Sequence, residues 1–166
     1  MYIPFNKLAP ESRMWIYQAN RVLTNEEAEL VSTKLKAFCD QWLAHGHPLK
    51  TSFKIEYNLF LILAVDENVS GASGCSIDGS VRMLKEFQTQ LGIDFLDRSN
   101  IAFLVDNTLV LHKLADLKRL FNEGILTGKS ASFNNALTLK HELETKWIEK
   151  ASESWLSKYL PKRELV

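Results

Sequence analysis

Residues 12–22, S-R-M-W-I-Y-Q-A-N-R-V, carry aromatic and branched side chains at a density that suits a strand, and alternation puts Met14, Ile16 and Gln18 on one face and Trp15, Tyr17 and Ala19 on the other. The period then changes. Thr24 followed by Glu27 forms a capping box, Asn25-Glu26-Glu27 puts acid in a first turn, and Ala28, Val31, Leu35, Phe38, Trp42 and Leu43 keep helical spacing up to Gly46 and Pro48. F-K-I-E-Y alternates, whereas L-F-L-I-L-A-V is apolar throughout and reads as a strand buried on both faces. Whether these two make a tight hairpin or one bent strand stays open, because Tyr57-Asn58-Leu59 is short for a turn.

A polar, glycine-containing loop runs from Asp66 to Gly74. Val81, Leu84, Phe87 and Leu91 then predict a helix from about Asp78 to Gln90, capped by Ser76 or Asp78 and stopped by Gly92. I-A-F-L-V and T-L-V-L-H flank Asp106-Asn107, a two-residue hairpin turn. Helix is predicted again from Leu114 to Glu123, with Gly124 as its stop, and mostly helical structure from Asn134 to Tyr159. The expected class is α+β: one globular domain over 1–166, with a mainly antiparallel sheet of about five strands and helices packed on one side.

Twenty basic and twenty acidic side chains cancel, which removes any bulk charge to drive nucleic-acid or membrane binding. The longest apolar run, Leu59–Val65, is too short to cross a bilayer, and the first ten residues lack the pattern of a signal peptide. Two cysteines at 39 and 75 build no disulfide framework and no metal knuckle, so a reduced, cytoplasmic setting is expected. Nothing in the sequence identifies a cofactor or an oligomeric state.

Chemistry concentrates in S-G-C-S-I-D, residues 73–78. A thiol at a helix N-terminus can gain thiolate character, and the free N–H groups there can hold an anion. Gly71 and Gly74 permit close approach. Three readings follow. In the first, Gly74, Ser76 and Asp78 bind a small anionic ligand, assisted by Arg13 or Arg98. In the second, Cys75 is the nucleophile of a hydrolase or transferase, with His45 of A-H-G-H-P as base. In the third, Cys75 merely fills space beside a capped turn and the chain is a non-catalytic interaction protein. No third ligand accompanies His45 and His47, so no metal is assigned. Asp66-Glu67, at the end of the apolar strand, sits where strands commonly meet solvent.

The words R-M-W-I-Y-Q (13–18), W-L-A-H-G (42–46), Y-N-L-F (57–60), A-V-D-E (64–67), S-G-C-S-I-D (73–78), D-F-L-D-R (94–98), F-N-N (133–135) and A-S-E-S-W (151–155) together resemble an uncharacterised family of small Bacteroidetes proteins. Members of that family often carry the label "ABC transporter ATPase". The resemblance spans nearly the whole chain and implies membership, but no activity, cofactor or fold. The residues do not support the label. A phosphate-binding loop needs G-x-x-x-x-G-K-[ST], and the first glycine before Gly128-Lys129-Ser130 would fall on Glu123.

Overall fold

The computed structural model describes residues 1–164, which divide into two compact units. The first comprises Met1–Asp97 and Asn135–Leu143; the second comprises Arg98–Asn134 and the chain from Glu144 onward.

In the first unit β1 (Arg13–Gln18), β4 (Lys50–Glu56) and β5 (Phe60–Asp66) form an antiparallel sheet in the order β1-β5-β4; between them lie α1 (Asn25–Gln41), β2 (Leu43–Ala44) and β3 (His47–Pro48). All seven residues of β5 are buried, as a continuous apolar run requires. Both edges of the sheet are covered. Tyr2 bridges Thr51 beside β4, and Leu139 bridges Arg13 beside β1. The β4–β5 connection is a tight turn in which Tyr57 and Asn58 take left-handed φ values of 55° and 49° and the Leu59 N–H returns to Glu56 O. Such a turn matches the twist of the strands it joins.

Thr24 does cap α1, with the full capping box to Glu27. The helix nevertheless stops at Gln41, so Trp42 and Leu43 lie outside it. His45 (φ 50°) and Gly46 (φ 78°) turn the chain into the small β2–β3 hairpin instead. Trp42, Ala44, Leu49 and Val65 pack together with Trp15 and Phe38, anchoring that hairpin to the sheet. The second helix, α2 (Gly74–Leu91), starts a full turn earlier than expected and ends on Gly92 in the left-handed conformation.

The second unit holds β6 (Asn100–Val105), β7 (Thr108–Lys113), α3 (Leu117–Asn122), β8 (Ala131–Phe133), all but the first residue of the single-turn α4 (Leu143–Lys146), and β9 (Ile148–Lys150), with sheet order β7-β6-β8-β9. Asp106 and Asn107, at φ 51° and 63°, make the expected hairpin turn. Phe103, Leu117, Phe121, Leu126, Ala151 and Leu156 form its core.

The class is α+β, but among the described residues the strands form three antiparallel sheets of three, two and four strands, not one sheet of about five. Two other expectations need correction. The predicted helix at 114–123 is a 3-10 turn (Leu114–Asp116) followed by a shorter α3. The stretch 134–159 is not mostly helical: it breaks into 3-10 turns, α4 and β9.

Candidate functional site

The head of α2 is built by four residues. Ser73 is the cap: its Oγ accepts the Ser76 N–H at 3.1 Å, while Ser76 Oγ accepts the Ser73 N–H at 2.7 Å and donates to Ser73 O at 2.8 Å. This corrects the expectation that Ser76 or Asp78 caps the helix. The Ser76 hydroxyl is buried and committed to the reciprocal cap, which takes it out of play as a ligand contact. Trp42 Nε1–H donates to Ser76 O at 2.8 Å in a buried bond, tying the end of α1 to this first turn. Gly74 opens the helix with free space where a Cβ would be.

Cys75 is exposed at the second helical position, so it is not a buried filler. Cys39 is its opposite. It is fully buried, and burial pushes its thiol up to about 11.

Cys75, Gly79, Arg82, Met83, Glu86 and Gln90 recur at helical spacing and so share one face of α2. Below Cys75 that face borders a groove of about 470 Å³ lined on the other side by Lys34, Ala37 and Phe38 of α1. Phe38, Met83 and Phe87 give it an apolar floor, and Lys34 and Arg82 supply two cations at its rim. Lys34 Nζ donates to Gln90 Oε1 at 2.5 Å, closing one end. At the other end Gly79 leaves a notch, where an added Cβ would meet only Arg82 Nη2, at 3.8 Å. A guanidinium beside bare helix backbone is a planar, permanently charged fork open to an acidic group.

The remaining expected site residues lie elsewhere. Asp78 is exposed on α2. His45 is exposed in the β2–β3 turn, and among the described residues no hydrogen bond joins it to Cys75. Arg13 is met by Glu67 at 3.4 Å and lies 4.7 Å over the Trp15 ring, beside a separate cavity of about 380 Å³ lined also by Glu11, Thr138 and Leu139. A Cβ on Gly71 would touch Glu67 Oε2 at 3.7 Å, so the charge of Arg13 is already answered near the 67–73 loop. Arg98 opens the second unit and is exposed. Asp66 is buried, accepts the Asn68 N–H and pairs with Lys50 at 3.5 Å. Among the described residues, no group of three or more histidine, cysteine or acidic side chains is placed to hold a metal ion. Nor is any helix there long and apolar enough to cross a membrane.

Gly128-Lys129-Ser130 sits in a tight turn in which the N–H groups of Thr127, Lys129 and Ser130 are already used. Ser130 N–H bonds Thr127 O, Lys129 N–H bonds Thr127 Oγ1, and Ser130 Oγ accepts the Thr127 N–H. The turn leads into β8 rather than a helix, so it lacks the free amides and dipole that cradle a phosphate.

Lys34, Gly79, Arg82 and Met83 were not singled out from the sequence. The one signal for Gly79, Arg82 and Met83 was the continuation of the Cys75 face down α2; the pairing of that face with Lys34 on α1 is a tertiary fact. No protein-family model, curated protein or solved structure gives a significant match to this chain.

Proposed function

We propose that this chain is a binding protein for a small anionic molecule, held in the α1–α2 groove with Arg82 as its counter-ion. One observation carries the reading: a groove of about 470 Å³ with an apolar floor places the Arg82 guanidinium against the side-chain-free backbone at Gly79. Small-molecule sites combine an apolar lining with a few placed polar groups; here the apolar floor of Phe38, Met83 and Phe87 is rimmed by Lys34, Arg82, Glu86 and Gln90. It moves the ligand one turn down α2 from the 71–78 loop, whose buried serine is spent on capping. With both thiols free and Cys75 exposed, a reducing, cytoplasmic setting suits the protein. The test is isothermal titration with a panel of small carboxylates and phosphates on the native protein and on Arg82→Gln. Binding that Arg82→Gln weakens at least tenfold supports the reading; equal binding by both proteins, or none by either, ends it.

The exposure of Cys75 on the same helical face favours a second reading, thiol-dependent hydrolysis or transfer. It requires that Cys75→Ser abolish turnover of an activated ester or thioester, and turnover that survives the substitution excludes it.

A further inference from the structure

We propose that the ligand of the groove is a monocarboxylate carrying an apolar chain, with its carboxylate on Arg82 at Gly79 and its chain laid along α2 over Met83 and Phe87; this rests on the anion-binding reading above. The shape argues for length. The α2 residues of the groove run from Gly79 to Gln90, a stretch of eleven helical rises that spans roughly 16 Å. The contribution of α1 is a single turn, Lys34 to Phe38, so the site is a trough rather than a round pocket.

The charges argue for a single negative group. Arg82 and Glu86 are four apart on one helix, hence neighbours on its surface. The Glu86 carboxylate repels a phosphate dianion on the guanidinium about twice as strongly as it repels a monoanion. Lys34 donates to the neutral Gln90 amide at the far end, so the two cations of the groove stand at opposite ends of it. Between the ends the lining is Ala37, Phe38, Met83 and Phe87, with Glu86 the one hydrogen-bonding side chain among them. Met83 is a flexible, polarisable filler of the kind that adapts to chains of different shape.

The test titrates acetate, butanoate, hexanoate, octanoate and inorganic phosphate into the native protein, Arg82→Gln and Gly79→Leu. The expected result is affinity that rises about threefold to fourfold per added methylene, the gain for burying one such group, with inorganic phosphate binding at least tenfold more weakly than octanoate. Arg82→Gln should lower carboxylate affinity at least tenfold. Gly79→Leu fills the notch with a good helix former, so it should remain folded and lose binding. Should acetate, octanoate and phosphate bind equally tightly, all dependent on Arg82, the anion reading stands and the chain-bearing monocarboxylate is wrong. If none of them binds, or binding ignores both substitutions, both readings fall. Circular dichroism on each variant separates lost binding from lost folding; were Gly79→Leu unfolded, Gly79→Ala takes its place, with the same loss expected at smaller amplitude.

Discussion

The Trp42 indole N–H donates to the backbone carbonyl of Ser76 at 2.8 Å, and both groups are buried. This bond joins the residue that ends α1 to the first turn of α2, so it holds the C-terminal end of one groove helix against the N-terminal end of the other. Phe38, 5.0 Å from the Trp42 ring, continues the contact into the groove floor. Trp42→Phe keeps an aromatic ring but removes the donor. The expected loss is about 1–2 kcal/mol, the usual consequence of deleting one partner of a buried hydrogen bond. Urea unfolding should show a lower midpoint with an unchanged slope, since the surface exposed on unfolding is the same.

Ser73 and Ser76 cap α2 reciprocally. Ser73→Ala should therefore cost about 1 kcal/mol, the typical value for losing a helix N-cap. Asp78→Ala, at an exposed position within the helix, should change stability by less than about 0.5 kcal/mol. Chemical denaturation of the two variants side by side distinguishes a helix that starts at Gly74 from one that starts at Asp78.

Local chemistry made part of this fold legible. The Thr24–Glu27 box, the left-handed Gly92 and the Asp106-Asn107 turn each rest on side chains within a few residues of one another. The head of α2 was misplaced because S-G-C-S puts a serine where the capping box usually has glutamate or glutamine, so the box was not evident. Around 134–159, Trp147, just before β9, meets Phe133 of β8 at 5.0 Å, and Asn134 N–H bonds Trp147 O. Elements of three residues need no periodic pattern of their own when neighbouring backbone holds them. Apolar residues at near-helical spacing there imitated a helix. The groove was hidden for another reason: Lys34 and Arg82 are forty-eight positions apart, and only the packing of α1 and α2 makes one site of them.

Arg21 grips Glu27 with two nitrogens, at 2.8 and 2.7 Å. That pairing, helped by the Thr24 N–H, lowers the carboxyl from 4.5 to about 2. A lowered folded value means that the stabilisation is complete above about pH 4.5 and is lost as pH falls toward 2. The pair is at the surface, so its worth is below about 1 kcal/mol. Arg21→Ala should reduce stability at neutral pH by that order and flatten the fall in stability across the same acid window. Urea midpoints measured for both proteins through that range provide the check.

The Thr127–Ser130 turn carries the prediction that Lys129→Ala leaves nucleotide binding unaltered. The Thr127, Lys129 and Ser130 amides are bonded within the turn, and the Gly128 and Ser130 carbonyls accept the Ser152 and Ala151 N–H groups. Equilibrium binding of a fluorescent ATP analogue, with magnesium present, should give the same isotherm for native protein and variant. A stoichiometric signal lost on substitution would contradict the turn's role as a purely structural one.

The two thiols should differ sharply in the folded protein. Cys75 is exposed on the first turn of α2, while Cys39 has no accessible surface and burial pushes its thiol up to about 11. Alkylation needs both contact with the reagent and a thiolate, and Cys39 lacks each. Iodoacetamide at neutral pH should therefore modify Cys75 alone, with one adduct per chain located by mass spectrometry. Cys39 should react only when urea unfolds the protein, and its rate should then follow the unfolded fraction. Labelling of Cys39 without unfolding would show that β4 and α1 separate locally, since Thr51 Oγ1 donates to Cys39 O at 2.9 Å across that contact. Resistance of Cys75 to the reagent would end the thiol-dependent reading outright. Carboxylate binding by Arg82 does not use the thiol, so a Cys75→Ser protein should bind octanoate as the native protein does.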